Sequence, residues 1–160
     1  MHWKWRVRHA QGFRELGLLK EAAEELAAVP TEHTEETEFL REKAILAQER
    51  EEWAELAAAA RILAHREPHE PDWWILWAFG TRRSVSIEAA EKILLVAVMM
   101  HDRVATIHFN LGCYACLLGN LDGARARVAR AIGIDSQFQD LARTDPDLEA
   151  LRQSNPELWM

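Results

Sequence analysis

The chain has 160 residues, a mass of 18.4 kDa, a hydrophobic fraction of 49% and a formal net charge of −7. That suits one folded domain or one short repeat array and excludes disorder, while the negative balance opposes nucleic acid and anionic membrane as partners. No apolar run reaches the roughly 18 residues of a spanning helix, the basic N-terminus lacks the apolar core of a signal peptide, and two cysteines cannot make a disulfide framework. The expectation is a reduced, soluble, cytoplasmic protein.

Ala, Leu and Glu dominate, and Pro and Gly stand singly between periodic runs, so the chain reads as helix throughout, with no strand pattern. Residues 3–36 carry Ala10, Phe13 and Gly17, then Ala22, Leu26 and Val29. Residues 37–70 carry Leu40, Ala44 and Ala47, then Leu56, Ala60 and Leu63, with Pro68 after the helix. Pro71 opens the next helix at its first turn, where a missing N–H costs nothing. Trp74, Trp77 and Ala78 follow on that helix, and Ala90, Leu94 and Ala97 on the next, within 71–104. The pattern is densest in 105–138, with His108, Leu111, Gly112 and Ala115, Gly119 at a turn, Asn120 as helix cap, then Ala124, Val128 and Ala131. Each block repeats the last after 34 residues, without insertions. Small residues at Ala10, Ala44, Ala78 and Gly112 let paired helices approach closely, and large ones fill the space between neighbours. In 139–160, Leu141 and Ala142 continue a stripe begun at Phe138. Asp145-Pro146 starts another helix with Leu148 and Leu151 facing inward, and Leu158-Trp159-Met160 is a short apolar tail.

This pattern resembles the tetratricopeptide repeat, whose unit reads W-x2-L-G-x2-Y, then A-x3-F, then A and P. His108 stands for the Trp, Ala115 for the Tyr and Ser136 for the Pro, and Lys43, Arg6 and His9 depart in the weaker copies. The chain looks like a small stand-alone bacterial protein of this family. The resemblance implies an all-α superhelical solenoid, residues 1–160 forming one domain: about four helical hairpins at 3–36, 37–70, 71–104 and 105–138, and a C-terminal cap at 139–160. It implies a non-catalytic scaffold or adaptor without a cofactor, holding a peptide or partner segment in the concave groove. A secretion-type chaperone of the same class is the alternative.

The groove is lined by the first helix of each hairpin. By periodicity it carries Lys4, Arg8 and Arg14, then Glu38, Arg41, Ile45 and Gln48. The third hairpin adds Ile75, Leu76, Phe79, Arg82 and Arg83, and the fourth Phe109, Asn110, Cys113 and Leu117. An apolar floor flanked by arginines favours an acidic-apolar guest. The carboxylate clamp of co-chaperone members is not matched, because Asn110 stands alone and Ile75 and Phe79 occupy the preceding places. Cys113 and Cys116 form C-x-x-C within a helix, which reads as packing; a thiol or metal site is the rival reading, but no further ligand pair follows. Pro68 separates His65 from His69, against a shared metal. The acidic residues at 32–42 and 49–52 read as solvated faces. Trp3 and Trp5 either seal the first hairpin or form an interaction arm. No nucleotide or hydrolase motif occurs. Self-association through the groove or the Trp159 tail would make a homodimer.

Overall fold

The computed structural model describes residues 1–158, and among them it holds ten α-helices and no strand. The Trp159 end of the expected tail lies outside the described residues. The chain divides into two compact units, Met1–Ser84 and Val85 onward.

In the first unit, α1 (Trp3–Glu15) pairs with α2 (Leu19–Ala27), α3 (Thr37–Glu49) pairs with α4 (Trp53–Arg66), and α5 (Pro71–Ser84) lies against α4. One apolar core runs through the unit, from Trp3, Val7 and Ala10 on α1 to Leu56 and Leu63 on α4. Ala10, Ala44 and Ala78 are fully buried, as close helix approach requires. Gly80 is tighter still: a Cβ there would lie 2.7 Å from the Trp53 carbonyl oxygen and 2.9 Å from the Ala57 nitrogen.

In the second unit, α6 (Ile87–Met100) packs on α7 (Ala105–Leu117), which forms a hairpin with α8 (Leu121–Ile134). Ser86 caps α6 by accepting from the Ala89 N–H at 3.1 Å, and Asn120 caps α8 by accepting from the Gly123 N–H at 2.9 Å. At Gly112, α7 meets α8 so closely that a Cβ would sit 2.8 Å from Val128 Cγ2. The remainder, α9 (Phe138–Thr144), a 3-10 turn (Pro146–Leu148) and α10 (Glu149–Ser154), is the cap, with Leu148 and Leu151 fully buried. Arg152 ties it together, donating to the carbonyls of Ala142 at 2.9 Å and Asp145 at 2.7 Å.

The turns explain where the chain divides. Gly17 (φ +77), Glu51 (φ +58) and Gly119 (φ +84) each end a helix in the left-handed region. Each turn carries the same pair of bonds: Leu18 N–H to Phe13 O and Gly17 N–H to Arg14 O in the first, both 2.8 Å. The 34-residue step from Glu51 lands on Val85. A β-branched residue is a poor occupant of that region, and Val85 is not left-handed. The regular turn is missing at the position where the two units divide.

Candidate peptide groove

Helices α1, α3 and α5 of the first unit line two adjoining depressions. One depression of about 300 Å³ lies over α1 and α3, lined by Lys4, Val7, Arg8, Gln11, Arg14, Glu38, Arg41, Glu42 and Ile45. A second, about 610 Å³, lies over α3, the 67–70 loop and the start of α5, lined by Arg41, Ile45, Glu67, His69, Glu70, Asp72, Trp73 and Leu76. Arg41 and Ile45 line both, so the two depressions adjoin at α3.

Ion pairs across the helices hold this face. The Arg14 fork donates to both oxygens of Glu42, at 2.7 and 3.3 Å, and to Glu49 at 3.1 Å. The hydrogen bond to Glu42 raises the Arg14 pKa above its ordinary value against the opposing effect of burial. Glu42 is only 6% exposed, which corrects the sequence reading of it as part of a solvated acidic face. Lys4 meets Glu38 at 2.9 Å, a solvated pair of small energetic weight. Glu67 is a hub: one oxygen accepts from Arg41 and the other from the Trp73 indole N–H at 2.9 Å. It fixes the floor tryptophan and the central cation together.

The expected site residues divide accordingly. Arg8 lines the hollow, with its guanidinium 5.4 Å from the Trp5 ring. Arg41 lies at the centre. Ile75 is half-buried, and the α5 wall is formed instead by Asp72, Trp73 and Leu76. Phe79 packs edge-on against Trp53 at 5.5 Å, and Arg83 covers its face at 3.5 Å. Arg82 is half-buried and engaged within the fold. Phe109 does not offer an open floor. It is 5% exposed, with its ring 5.1 Å from Phe138 of the cap, and Asn110 beside it is half-buried. In the second unit the cap covers the face that the first unit leaves open: it packs on α7, where Cys113 and Cys116 are also buried.

Trp73, Glu67, Glu70 and Asp72 escaped the sequence reading. Asp72 had a signal: the 34-residue step from Lys4 to Glu38 lands on it. Glu67 and Glu70 lie in an inter-helix loop, where periodicity carries no information.

The remaining candidates are structural. Trp3 is buried and stacks on His33 at 4.9 Å, sealing the first hairpin, whereas Trp5 is exposed. His65 packs against Trp74 and Trp77, away from the hollow that His69 lines. His108, at the motif's Trp position, is buried; its Nε2 lies 2.7 Å from the Asp102 carbonyl and its Nδ1 3.3 Å from Arg127. Donation from Nε2 to the carbonyl leaves Nδ1 to accept from Arg127. The Cys113 sulfur and the Asp145 and Asp147 carboxylates lie within 4.8 Å of one another. Asp145 already caps the 3-10 turn by accepting from the Asp147 N–H at 2.9 Å.

No family model matches the chain, and no curated protein does. Solved structures do. The crystal structure of MamA superposes with a TM-score of 0.76 at 13% identity, over 92% of this chain and 82% of that one. TTC0263, described as a thermophilic TPR protein in Thermus thermophilus, gives 0.64 at 17%, over 97% and 92%. YrrB, described as a TPR protein with an unusual peptide-binding site, gives 0.66 at 14%, over 95% and 86%. Helical hairpins in a 34-residue frame, packed through small residues and joined by left-handed turns, are the tetratricopeptide-repeat fold, and this chain is an all-α solenoid of that kind.

Proposed function

We propose that the protein is a non-catalytic interaction scaffold whose first unit holds an extended peptide or partner segment across α1, α3 and α5. The observation that carries this reading is the pair of depressions adjoining at Arg41 and Ile45, with the apolar surfaces of Val7, Ile45, Trp73 and Leu76 set among charged rims. Such a face suits a ligand that gains affinity from a few buried side chains and specificity from charge. Acidic residues of the guest would meet Arg8. YrrB's described peptide-binding site gives the reading a precedent on the same fold. A cytoplasmic setting fits two buried thiols not joined in a disulfide, and the unbroken repeat frame supports reading residues 1–160 as one interaction domain.

The test is affinity capture with wild type and Ile45→Glu, the variant's fold checked by circular dichroism. A partner held by wild type and lost by the folded variant supports the groove; identical partners for both remove it.

Self-association is the second reading, favoured by one observation. On α6, Leu95, Val96, Met99 and Met100 are exposed together, Met99 at 83%. Sedimentation equilibrium of wild type and Met99→Glu decides it: a dimer lost in the variant supports it, and a monomeric wild type ends it.

A further inference from the structure

The charge of the hollow face is not uniform. Over α1 and α3 it is lined by four cations, Lys4, Arg8, Arg14 and Arg41, against two carboxylates, Glu38 and Glu42. Over the start of α5 the balance reverses, to Arg41 against Glu67, Glu70 and Asp72. The internal pairs sharpen the contrast. Lys4 pairs with Glu38, Arg14 and Glu42 are spent on each other, and Glu67 is spent on Arg41 and Trp73. What remains for a guest is Arg8 at one end and, at the other, two exposed carboxylates, Glu70 and Asp72, that have no cation partner among the described residues. Between the ends lies the apolar floor of Ile45, Trp73 and Leu76.

From this we propose, building on the groove reading above, that the guest is a bipolar segment: acidic side chains over α1, an apolar centre, and a Lys or Arg seated between Glu70 and Asp72. α1 packs on α3, and α5 stands across the larger depression from α3, so α1 to α5 spans at least about 20 Å. An extended chain advances about 3.3 Å per residue, which sets the opposite charges at least about six residues apart. The gradient rejects uniformly charged partners, because each of them places like charge at one end.

Isothermal titration of the full chain with three synthetic peptides tests this. They share a Leu-rich centre and carry acidic and basic ends about six residues apart, acidic ends only, or basic ends only. The bipolar peptide is expected to bind about tenfold tighter than either uniform one. Glu70→Gln with Asp72→Asn should weaken the bipolar and basic peptides about fivefold and tighten the acidic peptide, whose second acidic end is no longer repelled. Equal binding of all three peptides, or a neutralised variant that binds the bipolar peptide like wild type, overturns the proposal. Ile45→Glu separates the two levels. If it abolishes all binding while charge makes no difference, the groove stands and its polarity falls; if the peptides bind it like wild type, or bind neither it nor wild type, the groove reading falls and the polarity with it.

Discussion

Replacing Gly80 by Ala tests the packing that positions the groove. Gly80 faces backbone on α4: the new Cβ would meet the Trp53 carbonyl oxygen at 2.7 Å, the Ala57 nitrogen at 2.9 Å and the Ala57 Cβ at 3.2 Å. Backbone cannot rotate aside as a flexible side chain would, so α4 and α5 must separate by several tenths of an ångström. Overpacking of this kind costs about 1–3 kcal/mol. The better helix propensity of Ala returns about 1 kcal/mol, leaving a net loss of up to about 2 kcal/mol. Gly12 on α1 is the control, since a Cβ there meets nothing within 4 Å. Gly12→Ala should therefore stabilise by up to about 1 kcal/mol. Urea unfolding followed by circular dichroism reads both variants. Opposite signs are expected, and a Gly80→Ala protein as stable as Gly12→Ala would refute the described approach of α5 to α4.

Three further outcomes follow from the same geometry. Glu42→Ala strands Arg14, whose side chain is 13% exposed, with Glu49 as its remaining carboxylate; unfolding measurements should show a loss of about 3 kcal/mol, reduced in the Arg14→Met, Glu42→Leu double variant. Glu51→Gly relieves a left-handed non-glycine residue and should raise the urea midpoint, by about 0.5–1 kcal/mol of stability, whereas Gly119→Ala should lower it by a similar amount. The Arg130 guanidinium holds Asp102 below its usual pKa, first by hydrogen bonding and then by charge. A depressed carboxyl contributes stability above its unfolded pKa and loses it as pH falls through the folded one, so between about pH 5 and pH 3 wild type should lose more stability than Asp102→Asn.

The fold was legible in the sequence because helix packing repeats its demands. Ala10, Ala44 and Ala78 have the burial that the 34-residue frame assigns them, Gly112 makes the close approach expected of it, and Asn120 caps the helix it was expected to cap. The division at Val85 was legible only through backbone conformation: the frame places a β-branched residue where its other copies turn left-handed. The groove was half legible. Arg8, Arg41, Ile45 and Leu76 follow from periodicity. Phe109 looked like floor because its position matches groove positions of other copies, but the cap packs on that face of α7, which a single-helix pattern does not show. The cations looked free because pairing between helices 28 to 35 residues apart in sequence, such as Arg14 with Glu42 and Glu49, has no local signature.

The most direct test of the central claim is a nuclear magnetic resonance titration of the isotopically labelled chain with a bound partner segment. The Trp73 indole N–H and the Ile45 methyl signals are expected to move first, together with amides of α1 and the 67–72 stretch. Shifts confined to the exposed Ala54 and Ala58 side of α4, with Trp73 and Ile45 unmoved, would contradict it.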